Sequence, residues 1–416
     1  MQRWFNLIAK ITPSRISGVV DAPQSKSLAI RLLFSSLLGK IELHNLHMSD
    51  DVTAAISAVE ALGVNRTGDL WQFNREGISG KNRIYLGGSG TTLRMLLPIL
   101  AYKGVDITVD GDDTLRKRPL NTIIEWLRKN GVTVSGDRLP IRISGKAMSD
   151  YVEISGSESS QYISGFIFAL LMNGGGKISI LPPVRSANYI RMTCDILNRI
   201  GANVRYSGSM INIDPGVALK YSGPVPGDFL LSSFYAAATL LTGGKIRIKG
   251  LELPEDSAGD SRIVDIFRKC GAGSEVLNQE WLVSSKGDLH PFDEDVSDSP
   301  DMAVSLAALA SVINGTSTVR GVELLKIKES NRILTIIDTL RSFGIRADFD
   351  GNIVVSGNGS GKNGIVDSSM DHRIAMLGTV LALRFGGTVR GAECVSKSNP
   401  YFYEDISHLG GMIGST

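Results

Sequence analysis

NRIGANVRYSGSMINI, residues 198–213, contains the pattern that decides the fold: the end of a helix, a glycine, a polar turn and an alternating strand. The same pattern surrounds five further glycines, which are Gly63, Gly131, Gly271, Gly344 and Gly410, where the chain shortens it. Successive glycines are 66 to 73 residues apart. Self-similarity at a regular spacing indicates a repeated structural unit, here about 70 residues long and present six times.

A second marker keeps the same spacing. It is a glycine followed by an alternating strand, and it occurs at Gly39, Gly104, Gly176, Gly244, Gly315 and Gly387. Alternation such as Lys177-Ile178-Ser179-Ile180 is typical of a strand with one buried face. Each unit is predicted to run strand, apolar helix, strand, amphipathic helix, strand, with the first set of glycines ending the amphipathic helices. The fold class is therefore α/β.

The first helix of each unit is apolar nearly all round, which is typical of a helix inside a domain. These helices are predicted at residues 27–38, 91–101, 163–172, 232–241, 302–313 and 374–383. Pro98 falls inside the second of them, where we expect it to kink or end the helix.

Two segments indicate where the chain passes between domains. Ser222-Gly-Pro-Val-Pro-Gly227 separates the third and fourth units, and its prolines suit a crossover. Asp21-Ala-Pro23 precedes the first apolar helix. The sequence predicts two domains of three units each.

Composition excludes several classes of function. Lys and Arg total 44 against 42 Asp and Glu, so nothing in the overall charge favours nucleic acid or an anionic membrane. No run approaches 18 apolar residues. Three widely spaced cysteines without a CxxC motif indicate unpaired thiols in a reducing cytoplasm. No metal motif, P-loop or GxGxxG is present, so we expect no metal and no cofactor.

Polar residues open all six apolar helices, and two interpretations stay open. Ser, Thr and Asp at these positions are ordinary N-caps. Helix N-termini also bind anions, and capping explains little of Lys26, Gln161 or the pair His372-Arg373. Basic residues near these positions favour a small, multiply anionic ligand; they are Arg31, Arg94, Arg116, Lys117, Arg118, Lys326, Lys328, Arg332, Arg373 and Lys397. For residues 116–118 a solvated basic turn is the alternative.

Two carboxylates are candidates for acid–base chemistry. Asp301 opens an apolar helix, and Glu329 lies among cations in Lys-Ile-Lys-Glu-Ser-Asn-Arg, residues 326–332. Beside an anionic substrate these groups can move protons. A helix cap for Asp301 and a surface ion pair for Glu329 are the structural alternatives.

The chain resembles the enolpyruvyl transferase family from about Ile16 to Leu409. The motifs are Ser25-Lys-Ser27 with Arg31, LGGSGTTLR at 86–94, Lys117-Arg-Pro119, Ser159-Ser-Gln161, Pro300-Asp301, KESNR at 328–332, Asp371-His-Arg373 and Lys397 before Pro400. The resemblance implies an inside-out α/β barrel in two domains, each with three βαβαββ-like repeats, whose buried helices point their N-termini at the cleft. Residues 23–226 would form one domain and residues 1–22 plus 227–416 the other.

The resemblance implies that phosphoenolpyruvate gives its enolpyruvyl group to the 5-hydroxyl of shikimate 3-phosphate. By position, shikimate 3-phosphate would contact Lys26, Ser27, Arg31, Ser159, Ser160, Gln161, Ser186, Asp301 and Lys328. Phosphoenolpyruvate would contact Lys26, Gly90, Arg118, Gln161, Arg332, Arg373 and Lys397. Asp301, Glu329 and Lys26 would be the catalytic residues. Gly90, rather than alanine, resembles the glyphosate-sensitive form.

Some positions depart from the family pattern. Thr114 stands where some members carry an arginine for phosphoenolpyruvate, which leaves Arg118 as the candidate, and Leu324 stands where some carry asparagine.

Alternative functions are the sister transferase that acts on UDP-N-acetylglucosamine, a non-catalytic anion-binding relative and an RNA-end cyclase. The sister enzyme typically has a loop cysteine, and Leu115, Arg116 and Lys117 occupy that region here. We expect a cytoplasmic monomer with small-molecule substrates.

Overall fold

The structure is a computed structural model that describes residues 7–74, 82–216, 218–252 and 259–415. The chain divides into two compact units. We call residues 26–225 the N-terminal unit, and residues 1–25 with 226–416 the C-terminal unit. The divisions follow Ser25 and Val225, whereas the sequence analysis placed them after residues 22 and 226. Each unit has its own hydrophobic core.

The N-terminal unit contains seven of the described α-helices and twelve of the strands. The helices are α1 (Lys26–Ser35), α2 (Asp50–Ala61), α3 (Gly90–Lys103), α4 (Asp113–Arg116), α5 (Asn121–Lys129), α6 (Ser160–Met172) and α7 (Ala187–Arg199). The strands are β3 (Gly39–His44), β4 (Val64–Thr67), β5 (Leu70–Phe73), β6 (Arg83–Tyr85), β7 (Ile107–Asp110), β8 (Thr133–Ser135), β9 (Ile141–Ser144), β10 (Tyr151–Ser155), β11 (Gly176–Leu181), β12 (Val204–Tyr206), β13 (Met210–Ile213) and β14 (Leu219–Pro224).

The C-terminal unit contains the other elements. Its helices are α8 (Phe229–Thr242), α9 (Arg262–Lys269), α10 (Met302–Ala310), α11 (Arg332–Ser342), α12 (His372–Phe385) and α13 (Phe402–His408), with 3₁₀ turns at Gly259–Ser261, Glu323–Ile327 and Ala392–Lys397. Its strands are β1 (Ile8–Thr12), β2 (Gly18–Asp21), β15 (Lys245–Lys249), β16 (Gly273–Leu277), β17 (Glu280–Ser284), β18 (Asp293–Asp295), β19 (Gly315–Arg320), β20 (Arg346–Phe349), β21 (Ile353–Gly357), β22 (Gly364–Asp367), β23 (Gly387–Arg390) and β24 (Met412–Ser415).

The described strands form six four-stranded sheets of one design, which confirms the predicted sixfold repeat. The orders are β14-β3-β5-β4, β6-β7-β9-β8 and β10-β11-β13-β12 in the N-terminal unit, and β2-β15-β17-β16, β18-β19-β21-β20 and β22-β23-β1-β24 in the C-terminal unit. In each sheet the first pair is parallel. In four of these pairs, β6-β7, β10-β11, β18-β19 and β22-β23, one buried helix connects the two strands in the βαβ manner. The remaining pairs are antiparallel.

Three of the sheets borrow a strand from elsewhere in the chain. The strand β14 follows the third unit in sequence but pairs in parallel with β3 of the first. The strands β1 and β2 complete the sixth and fourth sheets. Where the chain passes between the units, the Ser25 N–H donates to the Pro226 carbonyl (2.9 Å), and Gln24 bridges Gly227. The borrowed strands explain how a linear repeat forms two separate units.

The marker glycines end helices as predicted. All six, Gly63, Gly131, Gly201, Gly271, Gly344 and Gly410, have positive φ, between 81° and 113°. After five of them, the next N–H reaches back five residues, as the Ala202 N–H does to the Leu197 carbonyl (2.9 Å). This bond is the Schellman closure, which needs a residue in the left-handed region that glycine enters without strain.

The six apolar helices are buried as predicted. Of the two expectations for Pro98, an end of the helix is excluded, because α3 continues to Lys103, and a kink stays a prediction. A proline inside a helix costs about 3 kcal/mol. The turn beyond it buries Ile99, Leu100 and Ala101 completely, and this burial outweighs the cost.

Among the described residues, no helix has both the length and the apolar character needed to cross a bilayer.

We predict that Gly165→Ala destabilises the N-terminal unit, because a Cβ at Gly165 of α6 would lie 2.5 Å from the Met95 carbonyl oxygen of α3. The two backbones must move apart, so we expect the free energy of unfolding to fall by about 2 kcal/mol. Urea unfolding measures the change. Gly378→Ala in α12 is the control, because its Cβ would meet only Val366 side-chain atoms at 3.0 Å and beyond. Equal losses in the two variants would contradict the prediction.

Candidate active site

The Arg332 guanidinium gathers three carboxylates in the C-terminal unit. Its Nη1 donates to Asp301 Oδ1 (2.6 Å), its Nη2 to Glu329 Oε2 (2.6 Å) and its Nε to Asp371 Oδ2 (2.7 Å). The Arg332 side chain is 2% exposed. The residues come from the starts of α10, α11 and α12, so one cation joins three helix N-termini.

Three further cations surround these carboxylates. Lys328 Nζ lies 3.5 Å and Arg373 Nη2 3.8 Å from Asp301 Oδ2, and Lys397 Nζ lies 3.5 Å from Glu329 Oε1. We call this set the Arg332 cluster: Asp301, Lys328, Glu329, Arg332, Asp371, Arg373 and Lys397. All were noted in the sequence analysis as motif or candidate residues, and the fold brings them together.

Asp301 does not cap its helix. Its side chain makes no cap hydrogen bond at the start of α10. Burial raises the pKa of Asp301, but the charges of Lys328, Arg373 and Arg332 outweigh burial and hold this pKa below its usual value. Asp301 is therefore an ionised hydrogen-bond acceptor. Burial lowers the pKa of Lys328, which makes that ammonium easier to deprotonate than a surface lysine.

Asp371, by contrast, is both a cap and a partner of Arg332. It accepts from the Arg373 backbone N–H (3.0 Å) at the start of α12 and from the Ser330 hydroxyl (2.9 Å). Its side chain is fully buried. The sequence analysis quoted Asp371 within a motif but did not make it a site residue. Its position next to Arg332 shows that it orients the cluster.

Asp260 is a fourth carboxyl group near the cluster. It accepts a hydrogen bond from the hydroxyl of Ser299, two residues before Asp301. Burial and the nearby Asp228 carboxylate raise the pKa of Asp260 to about 7. Nothing in the sequence pattern indicated this residue, because it lies outside the repeated motifs.

In the N-terminal unit, Lys26 opens α1 and pairs with a buried carboxylate. Its Nζ lies 2.8 Å from Asp51 Oδ2, on α2. The other oxygen, Asp51 Oδ1, is buried and has no hydrogen-bond partner among the described residues. Asp51 was not among the predicted residues, because its only signal was its place in the first turn of an acidic helix start.

Arg31 braces three helices of the N-terminal unit. It donates to Thr193 Oγ1 (2.8 Å) and the Tyr189 carbonyl (3.0 Å) of α7, and to the Ser27 carbonyl (2.8 Å) of α1. Its Nη2 is also 3.4 Å from Ser164 Oγ of α6. Arg31 is 1% exposed, so in this structure it is a buried residue that joins three helices. Its contact with a ligand stays a prediction.

Gln161 lies between α6 and α3. Its Nε2 donates to Thr91 Oγ1 (2.9 Å), and its Oε1 accepts from Arg94 Nη1 (3.2 Å). Ser159 caps α6 by accepting from the Gln161 backbone N–H (3.2 Å). These bonds fix the orientation of the Gln161 amide beside a buried cation.

The two other predicted serines are buried at helix starts. Ser160 begins α6, and Ser186 immediately precedes α7. Ser186 has φ 53° and ψ 41°, the left-handed conformation that residues other than glycine rarely adopt, and its side chain makes no cap hydrogen bond. Such strain occurs preferentially at functional sites.

Gly90 provides space beside Arg118. A Cβ at Gly90 would lie 2.2 Å from Arg118 Nη1, so any larger residue must displace this guanidinium. Arg116, two residues earlier, is used structurally, because its Nε and Nη2 both donate to the buried Asp110 carboxylate (3.0 and 2.9 Å). Lys326 lies over the Phe349 ring (5.4 Å).

Metal and thiol chemistry find no support in the described residues. No three His, Cys, Asp or Glu side chains there are grouped to hold a metal ion. Cys194, Cys270 and Cys394 are buried and unpaired. Burial raises the pKa of each thiol to about 12, which makes it a poor nucleophile.

A family model, curated relatives and solved structures each match nearly the whole chain. The family model for EPSP synthase (3-phosphoshikimate 1-carboxyvinyltransferase) matches residues 11–406. The chain belongs to the EPSP synthase family. The 3-phosphoshikimate 1-carboxyvinyltransferase of Sulfurisphaera tokodaii is 46% identical over 98% of this chain and 99% of that protein. The enzymes of the same name from Saccharolobus solfataricus and Caldivirga maquilingensis are 45% and 37% identical, over 98% and 97% of this chain and 99% of each enzyme.

A solved EPSP synthase from Acinetobacter baumannii has the same fold. Its TM-score is 0.79, with 22% identity, over 99% of this chain and 100% of that chain. At this identity the likeness concerns the fold alone. It confirms the predicted fold class, the two-domain enolpyruvyl transferase fold.

We predict that the free energy of unfolding decreases as pH rises from 5 to 8 and that Asp260→Asn removes part of this decrease. The raised pKa of Asp260 means that the folded state binds the proton more tightly than the unfolded state, so its stabilising effect is lost as pH rises towards 7. At pH 8 the asparagine variant should be more stable than the original chain by on the order of 2 kcal/mol, after allowance for solvent screening.

Urea unfolding at both pH values measures this difference. Asp298→Asn is the control, because it changes an exposed carboxylate next to Ser299, the hydrogen-bond partner of Asp260. The same pH dependence in Asp260→Asn and in the original chain would refute the assignment.

Proposed function

We propose that this protein transfers the enolpyruvyl group of phosphoenolpyruvate to the 5-hydroxyl of shikimate 3-phosphate and releases phosphate. This is the shikimate-pathway step before chorismate, which leads to the aromatic amino acids. The Arg332 cluster carries the proposal, because it combines proton-transfer carboxylates with four cations in one buried place. Membership of the EPSP synthase family supports the choice of substrates.

Phosphoenolpyruvate would be held by fixed cations. Arg332, Arg373 and Lys397 are 12% exposed or less, and buried cations bind phosphate and carboxylate more strongly than solvated ones. From the N-terminal unit we assign Lys26, Gly90, Arg118 and Gln161 to the same substrate. The space at Gly90 would accept the ligand beside Arg118. Inhibition by glyphosate stays a prediction.

Shikimate 3-phosphate would be held mainly by helix starts. We assign its phosphate to Ser159, Ser160 and Ser186, because α6 and α7 begin there with backbone N–H groups that favour anions. Its ring would contact Lys26, Ser27, Arg31, Gln161, Asp301 and Lys328. These contacts rest on the positions of the family motifs.

Three residues would handle the protons. Asp301 is ionised, so it would accept a hydrogen bond from the 5-hydroxyl and orient its oxygen. Glu329 would give a proton to the methylene carbon of phosphoenolpyruvate, which leaves a cationic centre that the 5-hydroxyl oxygen attacks. The proton of the attacking hydroxyl would pass to Asp301. The Glu329 carboxylate would then take back a methyl proton, which expels phosphate and restores the double bond. Lys26 would stabilise negative charge between the substrates.

Phosphate release tests the proposed reaction. The protein is mixed with phosphoenolpyruvate and EDTA at neutral pH, and shikimate 3-phosphate or UDP-N-acetylglucosamine is added. We expect release with shikimate 3-phosphate only. Release only with the sugar nucleotide would show that the acceptor was misassigned. Release with neither acceptor would favour the non-catalytic anion-binding alternative.

We predict that Glu329→Gln still binds both substrates but loses deuterium exchange into the phosphoenolpyruvate methylene by about 100-fold or more. The amide oxygen can still accept from Arg332, so the position is kept while the exchangeable proton is lost. Mass spectrometry in D₂O measures exchange, and calorimetry measures binding. Glu323→Gln, an exposed change on the preceding turn, is the control. Undiminished exchange in Glu329→Gln would exclude the proton-transfer role.

We also propose that the protein acts as a cytoplasmic monomer. The three buried, unpaired thiols support a reducing compartment. Light scattering should give a mass near 44.7 kDa, and a stable species of twice that mass would contradict the monomer.

A further inference from the structure

A buried hydrogen-bond network in the C-terminal unit ends at the segment that carries Lys397. The hydroxyl of Tyr235, on the buried helix α8, donates to Asp405 Oδ2 (2.5 Å) on α13. The same hydroxyl accepts from Asn399 Nδ2 (2.7 Å). Tyr235 and Asn399 are 0% and 2% exposed. The donors and acceptors are matched, because a tyrosine hydroxyl donates one hydrogen and accepts others.

Asn399 organises the turn between Lys397 and α13. Its backbone N–H donates to the Val395 carbonyl (2.8 Å), which lies in the same 3₁₀ turn as Lys397. Its Oδ1 accepts from the Tyr401 N–H (3.3 Å) at the start of α13. Asn399 thus joins the end of the turn that carries Lys397, through its backbone N–H, to the start of α13 and to Tyr235, through its side chain.

The helix α13 is held against the same tyrosine. The Phe402 ring stacks on the Tyr235 ring, with centroids 5.8 Å apart and planes inclined by 16°. Asp405, one turn later, accepts the hydrogen bond from the Tyr235 hydroxyl. Burial, more than any other cause, raises the pKa of Tyr235, so this hydroxyl keeps its proton and remains a donor. Three contacts therefore converge on one side chain.

Lys397 depends on this turn for its position. Its side chain is 12% exposed, and its Nζ lies 3.5 Å from Glu329 Oε1. A lysine side chain has many rotamers, and a displacement of about 1 Å at a reacting centre can cost about 100-fold in rate. The backbone around residue 397 must therefore be fixed for the ammonium to act at one place.

We propose that Tyr235 is a positioning residue for Lys397: by joining Asn399 to Asp405, its hydroxyl fixes the turn that sets where the Lys397 ammonium lies beside Glu329. The inference rests on the proposed function, in which Lys397 holds phosphoenolpyruvate. Tyr235 contacts neither substrate in this assignment.

Tyr235→Phe removes only the hydroxyl and leaves the ring stacked on Phe402. We expect the KM for phosphoenolpyruvate to rise about tenfold, while the KM for shikimate 3-phosphate changes less than twofold. Tyr102→Phe is the matched control, because that buried hydroxyl also donates one hydrogen bond, to the Ser149 carbonyl (2.6 Å), within the N-terminal unit. The control should change neither KM.

Two more variants test the network from its other members. Asn399→Ala removes the hydrogen bond between the turn and the Tyr235 hydroxyl. It should raise the KM for phosphoenolpyruvate even if Tyr235→Phe fails to fold. Asp405→Asn keeps an oxygen that accepts from the hydroxyl, and it should leave both KM values within twofold. Thermal melting shows which variants are folded.

The outcomes separate the two proposals. An original chain that releases no phosphate from its substrates overturns the proposed function. An active original chain whose Tyr235→Phe and Asn399→Ala variants match the Tyr102→Phe control overturns the positioning role alone. An equal rise in both KM values would indicate general loosening and would also overturn it.

Discussion

The candidate site depends on the hydrogen bonds that the Arg332 guanidinium donates to three carboxylates. The guanidinium is nearly inaccessible to solvent and donates to Asp301, Glu329 and Asp371. A buried cation is tolerated only when its donors are satisfied, and here three carboxylates satisfy it. Because each carboxylate belongs to a different helix start, the pairing also fixes how α10, α11 and α12 are arranged within the C-terminal unit.

The three carboxylates around Arg332 differ in their surroundings. Asp371 accepts hydrogen bonds with both of its oxygens, as the cap of α12 and as a partner of Arg332. Asp301 is held ionised by the cations around it, which suits an acceptor that orients a hydroxyl. Glu329 lies at the edge of the set and faces Lys397, which the network through Tyr235 and Asn399 holds in turn. Burial and charge thus place three chemically similar groups in different surroundings.

Arg332 and Arg31 join helices through different kinds of partner. In the C-terminal unit, the starts of α10, α11 and α12 are joined by charges. In the N-terminal unit, Arg31 donates to hydroxyls and backbone carbonyls of α1, α6 and α7, and Gln161 joins α6 to α3. These hydrogen bonds of Arg31 go to neutral groups, whereas the Arg332 guanidinium donates to carboxylates.

The sequence by itself determined the repeated unit, the six buried helices and most of the charged residues of the site. These features follow from local rules: glycine permits left-handed helix ends, and apolar residues on all faces require burial. Tertiary structure alone decided which strands are borrowed, and that Asp51, Asp260 and Tyr235 contact candidate site residues or the segments that carry them. Each of these depends on contacts between residues far apart in the chain, which a local pattern does not contain.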